Sequence, residues 1–174
     1  MAKVCDVAAS DDPELRILIL EDNPLDSILM QNELRKAGIA VSCMTVDSEI
    51  EYKNAIKVFV PDIILSDFDL PTYSGFEALN EVCSLDDTIP FIIVSGVIGE
   101  DLAIEAFKRG ATDCINKNRL GRLPVAIRRA MDEHKEKIKL KTAESALAKS
   151  YETIHSIFFK SIQSIANAVE FRDP

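Results

Sequence analysis

Asp62-Ile63-Ile64-Leu65-Ser66-Asp67-Phe68-Asp69-Leu70-Pro71 is an apolar run that ends in two closely spaced carboxylates and a proline. The Ile-Ile-Leu core has no polar alternation, as expected of a strand covered on both faces of a parallel sheet. Ligands of such sheets gather at the carboxyl ends of the strands, which is where this run places Asp67. A single Asp-x-Asp also suits an ordinary turn, so the meaning of Asp67 depends on what the other strands deliver beside it.

Four further apolar runs flank this one. Arg16-Ile17-Leu18-Ile19-Leu20 ends on Glu21-Asp22-Asn23-Pro24, with the proline preset for the first turn of a helix. Met30, Leu34 and Ala37 then share a helical face, and Gly38 closes that helix before a strand over Ile39 to Val46. Tyr52, Ala55, Ile56 and Phe59 mark the next helix, which Pro61 stops. Past the central strand, a helix from about Gly75 carries Phe76, Leu79, Val82 and Cys83. Pro90-Phe91-Ile92-Ile93-Val94 is a fourth strand ending in Ser95-Gly96; Ala103, Ile104, Ala106 and Phe107 mark the helix after it. Gly110 ends that helix, Asp113-Cys114-Ile115 is a short fifth strand, and Lys117 follows as the one cation at any strand end. Five strands alternating with helices predict an α/β fold, a five-stranded parallel doubly wound sheet of the flavodoxin-like kind, followed by a long C-terminal helix.

A chain of 174 residues with 47% hydrophobic residues suffices for one well-packed domain and an appendage. The expected division is a flexible leader over 1–14, a folded domain over 15–123 and a helical linker over 124–174 that leaves that domain. No stretch has the length of a membrane span or the pattern of a signal peptide, which predicts a cytoplasmic protein without membrane contact. Cys5, Cys43, Cys83 and Cys114 are dispersed, with no Cys-x-x-Cys pair, which argues against zinc sites and disulfide frameworks. The net charge of -9 falls on the first part: residues 1 to 123 hold 11 Lys/Arg against 22 Asp/Glu, and residues 124 to 174 hold 9 against 7. An acidic body with no helix-turn-helix pattern and no interleaved base-stacking aromatics argues against direct nucleic-acid binding.

From Pro124 onward no strand recurs, and helix potential extends for roughly 50 residues, about 75 Å if unbroken. Leu147, Ile154, Ser161 and Ala168 recur at seven residues, interleaved with Tyr151, Phe158 and Ile165. That is the a/d seam of a coiled coil, and it predicts a homodimer through the C-terminal helix. A helix folded back on its own domain would show a similar stripe.

The strand ends together present Glu21 and Asp22, Asp67 and Asp69, Ser95-Gly96, and Lys117 along one sheet edge. Several carboxylates within a few ångströms repel one another, which raised pKa values or a bound divalent cation relieves, and oxygen-only ligands point to Mg²⁺. Mg²⁺ takes one or two carboxylates plus phosphate oxygens, so a phosphoryl group fits the remaining positions. Lys117 and the Ser95 hydroxyl can hold its oxygens, as can the backbone N–H groups of Phe68 and Gly96, and Asp67 can carry it covalently.

In these motifs residues 15 to about 123 resemble the receiver domain of two-component response regulators: Glu21-Asp22, Asp67 within Ile-Ile-Leu-Ser-Asp-Phe-Asp-Leu-Pro, Gly75, Ser95-Gly96, Gly110-Ala111 and Lys117. The resemblance implies that Asp67 accepts a phosphoryl group from a sensor histidine kinase or phosphotransfer protein. It implies that Asp22 binds Mg²⁺ directly, with Glu21 helping through water and the main-chain carbonyl of Asp69 as a further ligand. Ser95 is implied as a switch residue, coupled in the family to an aromatic three residues before the lysine. Cys114 stands there instead, and Asn118 replaces the family's usual proline after the lysine. Ile162 to Pro174 resembles the helix leading into HD-GYP cyclic-di-GMP phosphodiesterase domains, whose metal ligands would lie beyond Pro174.

A haloacid-dehalogenase-type phosphatase also uses Asp-x-Asp after a strand, a Ser or Thr, a Lys and Mg²⁺. Its Asp-x-Asp follows the first strand and its extra acids follow the lysine, whereas here the acidic pair lies upstream. A stand-alone receiver with a dimerising tail is the other alternative. His155, as a phosphorylated histidine, lacks the acidic neighbour and downstream proline of kinase motifs.

Overall fold

The apolar runs become the centre of one sheet. A computed structural model of the chain describes residues 3–5, 14–97 and 99–170. The strands are β1 (Lys3–Cys5), β2 (Leu15–Leu20), β3 (Val41–Val46), β4 (Ile63–Asp67), β5 (Phe91–Ser95) and β6 (Asp113–Asn116), in spatial order β1-β3-β2-β4-β5-β6. The pairs β2 with β3, β2 with β4, β4 with β5 and β5 with β6 are parallel. The helices are α1 (Pro24–Lys36), α2 (Glu49–Phe59), α3 (Gly75–Leu85), α4 (Glu100–Lys108) and α5 (Leu123–Glu170), with a 3₁₀ helix over Lys117–Arg122 before α5. The predicted five-stranded parallel doubly wound sheet and long C-terminal helix are both present. Within the expected leader, β1 adds a short antiparallel strand on the outer edge of β3.

Alternation along each strand sends side chains to two cores. Ile17, Ile19, Ile63, Leu65, Ile92 and Val94 face Met30 and Leu34 of α1 and Leu123, Ala126 and Ile127 of α5. Leu18, Leu20, Ile64 and Ile93 face Tyr52 and Ile56 of α2, Leu79 and Val82 of α3, and Ala106 of α4. Ile17 to Leu20 and Ile63 to Leu65 are therefore fully buried, which is why those runs carry no polar position. The amino ends of the two middle strands, β2 and β4, are clamped by Arg16, which donates through Nη2 and Nε to the Asp62 carboxylate at 2.8 and 3.2 Å. Burial works to raise the Asp62 pKa, but the Arg16 contacts outweigh it and hold the carboxyl below its usual range.

Chain reversals follow the sequence closely. Gly38 at φ 69° ends α1 and Gly110 at φ 102° ends α4, both left-handed conformations that favour glycine. α2 ends on Val60 at φ 50°, a costly geometry for a β-branched residue, directly before Pro61. Two details differ from the expected pattern. β3 begins at Val41 rather than Ile39. In α4, of the residues marking the helix, Ala106 is buried while Ile104 and Phe107 are about half exposed, so the helix rests on its small residue.

The chain divides into two compact units, Met1–His134 and Lys135–Pro174. In the first, α5 packs on the sheet as far as His134, whose Nδ1 lies 2.6 Å from the Thr88 carbonyl oxygen. In the second, α5 continues as helix to Glu170, and Leu147, Tyr151, Ile154 and Phe158 are all more than 60% exposed. The seam positions Ile165 and Ala168 lie beyond the described side chains, and Phe171 to Pro174 lie outside the described residues. Among the described residues no helix is long and apolar enough to cross a membrane.

Candidate functional site at the carboxyl edge of the sheet

The central strand delivers Asp67 to the sheet edge with 6% of its surface exposed. Its carboxylate Oδ1 accepts the backbone N–H of Phe68 at 2.6 Å and, more distantly, that of Asp69 at 3.4 Å. The Ser66 hydroxyl donates to the Asp67 carbonyl at 2.7 Å, and the Gly75 N–H donates to the Phe68 carbonyl at 3.1 Å, so the turn after β4 is fixed from both sides. Gly75 is held where a Cβ would lie 2.7 Å from the Asp67 carbonyl oxygen and 3.0 Å from the Phe68 Cα. Only a residue without a side chain allows α3 to begin this close to the strand end.

Lys117 reaches the same point from the end of β6. Its Nζ lies 2.7 Å from Asp67 Oδ2, 2.8 Å from Asp26 Oδ2 and 2.7 Å from Glu21 Oε2. Burial acts to lower the Lys117 pKa, but the contacts with Asp26, Asp67 and Glu21 outweigh it, and the ammonium is held above its ordinary range. Glu21 is 2% exposed, and its carboxyl is raised by burial, with Lys117 and the Asn23 N–H working in the opposite direction. Glu21 Oε1 accepts the Asn23 N–H at 3.1 Å. Oε2 has the ammonium beside it as an ion contact, but among the described residues it receives no hydrogen bond.

Glu21, Asp22 and Asp67 can each bring one carboxylate oxygen within 4.8 Å of the others. A buried carboxylate oxygen lacking a hydrogen bond, an exposed Asp22 and an all-oxygen donor set fit a hard divalent cation such as Mg²⁺. Zinc-type nitrogen and sulfur ligands are not part of the cluster.

The remaining predicted residues fall around this centre in different states. Ser95 is buried at the end of β5; its hydroxyl donates to the Val97 carbonyl and accepts the Val97 N–H, both at 3.3 Å, so it is engaged with its own loop. Gly96 is exposed, and its carbonyl accepts from Asn116 Nδ2 at 3.4 Å. The Asp69 side chain is exposed. Cys114 is partly buried against the core that faces α2, α3 and α4, where burial, reinforced by Asp113, pushes its thiol up to about 11. The peptide between Lys117 and Asn118 is not cis.

Two contributions are absent from the sequence reading. Gly75 figures there as a motif residue only, without the close approach that requires it. Asp26 does not figure at all, although its place in the first turn of α1, four residues after Asp22, is a usable signal.

A family model described as the response regulator receiver domain matches residues 17–128, more than half of the chain. The chain belongs to the response regulator receiver domain family. Among curated relatives, the chemotaxis protein CheY of Thermotoga maritima is 29% identical over 102 residues, covering 59% of this chain and 84% of CheY. The sensor histidine kinase RcsC of Escherichia coli (strain K12) is 29% identical over 115 residues, which cover 64% of this chain but 12% of RcsC. The match therefore spans a small part of RcsC and most of CheY. A solved CheY-like receiver domain protein from Methanospirillum hungatei JF-1 superposes with a TM-score of 0.62 at 23% identity, over 72% of this chain and 99% of that one. Receiver domains are phosphoacceptors in two-component phosphorelays and are phosphorylated by histidine kinases, so the receiver, with its acidic pair upstream of Asp67, takes the place of the phosphatase alternative.

Proposed function

We propose that this receiver is a phosphorylation switch in which Asp67 accepts a phosphoryl group from the phosphohistidine of a sensor histidine kinase or phosphotransfer protein. The observation that carries this reading is Asp67 at the end of the central strand, with Lys117 Nζ 2.7 Å from one oxygen and the Phe68 N–H on the other. An Asp67 oxygen attacks phosphorus, the phosphorus–nitrogen bond of the donor breaks, and the departing imidazole keeps the electron pair and takes a proton. The two contacts hold the attacking carboxylate in one orientation, which removes a rotational cost from the step. Lys117 then donates to a phosphoryl oxygen, and the Ser95 hydroxyl and the backbone N–H groups of Phe68 and Gly96 serve the others. Glu21, Asp22, Asp67 and the Asp69 carbonyl are the residues that would hold Mg²⁺. When bound, Mg²⁺ offsets the carboxylate charge and draws negative charge from the phosphoryl oxygens.

Incubation with acetyl phosphate and Mg²⁺ is expected to shift the wild-type protein, but not Asp67→Asn, on a phosphate-affinity gel. Equal shifts in both proteins, or none in either, would contradict this reading.

For output, α5 links the switch to a following domain of HD-GYP type, the reading that the Ile162 to Pro174 resemblance supports. The full-length protein would then be a cytoplasmic phosphodiesterase regulator that contacts neither nucleic acid nor membrane. Ser95 and Cys114 sit where the family's switch residues do. Cys114 is too small to fill or vacate the volume of an aromatic ring, so the bias passes through the Ser95 loop. Leu147, Tyr151, Ile154 and Phe158, exposed along one face of α5, support a homodimer through this helix. Light scattering is expected to give twice the chain mass at micromolar concentration; a monomer would remove the dimer from the account.

A further inference from the structure

Lys117 Nζ donates hydrogen bonds to Asp67 Oδ2 at 2.7 Å and Asp26 Oδ2 at 2.8 Å, and Glu21 Oε2 lies 2.7 Å away as an ion contact. A phosphoryl group that seeks this ammonium competes with these carboxylates for it. Glu21 cannot yield, because its side chain is fully buried and its other oxygen is tied to the Asn23 N–H. Asp67 is the residue on which the new anion forms. Asp26 differs from both: its side chain is 25% exposed, it sits in the first turn of α1, and a rotation about its own bonds would take it into water. Asp26 also lies outside the carboxylate group that can share a cation, so its charge is answered at this point by Lys117.

Building on the phosphoacceptor reading of Asp67, we propose that Asp26 is a positioning residue: it holds the Lys117 ammonium against unphosphorylated Asp67 and competes with the phosphoryl group for it. Two physical effects act in the same direction. The Asp26–Lys117 contact stabilises the unphosphorylated state, and a carboxylate beside the ammonium repels a phosphoryl dianion that binds there. Asp26 thus sets how readily Asp67 is charged and how long it stays so.

The test compares wild type, Asp26→Asn and Asp26→Glu in full-length chain with acetyl phosphate and Mg²⁺. It follows the rates of phosphoryl gain and loss together with the side-chain ammonium NMR signal of Lys117. Asp26→Asn is expected to gain the phosphoryl group about tenfold faster and to lose it more slowly, a change of the size that one close charge contact supplies. Its Lys117 signal should differ from wild type before phosphorylation and converge with it afterwards, whereas Asp26→Glu should behave as wild type in both readouts. A merely structural Asp26 would leave the Lys117 signal unmoved and show itself in the thermal melt. The proposal is overturned if folded Asp26→Asn labels at or below the wild-type rate, or if Asp26→Glu behaves like Asp26→Asn. Failure of wild type itself to label is a separate result: it removes the phosphoacceptor reading, and the competition with it.

Discussion

Gly75→Ala is expected to destabilise the receiver by about 2 kcal/mol and to slow phosphoryl uptake on Asp67, although it exchanges one small residue for another at the start of a helix. The added Cβ would lie 2.7 Å from the Asp67 carbonyl oxygen and 3.0 Å from the Phe68 Cα, and both neighbours are backbone atoms that cannot swing aside. Overpacking of this kind costs about 1–3 kcal/mol. The opposing gain from replacing glycine in a helix is at most about 1 kcal/mol in the interior and less in the first turn. The clash therefore wins, and its relief must move the turn that holds the Phe68 N–H on the Asp67 carboxylate. Gly96→Ala is the matched control, because a Cβ there meets nothing within 4 Å. Urea unfolding of the two variants checks the expectation. A Gly75→Ala protein within about 0.5 kcal/mol of wild type would show that the close approach is relaxed in solution.

Lys117→Met should be costlier still in the absence of divalent cations, by about 3 kcal/mol at neutral pH, the lower end of the range for removing one partner of a buried ion pair. Methionine keeps the length of the side chain while leaving Glu21 and Asp67 facing each other without the ammonium. The lower end applies because the Lys117 side chain is 17% exposed, so water reaches the site. The pH dependence has a definite sign. Burial raises the folded-state carboxyl of Glu21, and Lys117 is the chief group lowering it, so the substitution raises it further. A group raised on folding favours the folded state below its unfolded pKa and loses that contribution as pH rises through the folded value. The deficit of Lys117→Met is therefore largest at neutral pH and shrinks on acidification. Added Mg²⁺ should recover part of the loss by binding the folded state alone. Unfolding curves in chelator and in Mg²⁺ at several pH values measure all three effects; equal stability of variant and wild type in chelator would contradict the role given to Lys117. Phosphoryl uptake should fall by about two orders of magnitude, the cost of removing one charge-stabilising donor.

The features legible in the sequence are those imposed by local burial. The runs around Ile17 to Leu20 and Ile63 to Leu65 contain no polar residue because both sheet faces are covered, and that same geometry brings Glu21, Asp67, Ser95 and Lys117 to one edge. Gly38 and Gly110 were readable because their backbone angles select for glycine. Features created by tertiary approach were not readable. Asp26 reaches Lys117 only because α1 packs on the same face as the start of α5, bringing together residues 91 positions apart. Gly75 is required by a turn of α3 against the end of β4, which leaves no periodic trace. In α4 the pattern of apolar residues misleads, since Ala106 is the buried contact while Ile104 and Phe107 remain about half exposed. β1 is too short, at three residues, to announce itself by alternation.

The most direct test of the central claim is chemical localisation of the phosphoryl group. Wild-type protein charged in the presence of Mg²⁺ is reduced with borohydride, which converts an aspartyl phosphate to homoserine, and the peptides are sequenced by mass spectrometry. The account predicts homoserine at position 67 and unmodified aspartate at positions 22, 26 and 69. Homoserine at any of those other positions, or intact aspartate at 67 in protein that has taken up phosphate, would contradict it.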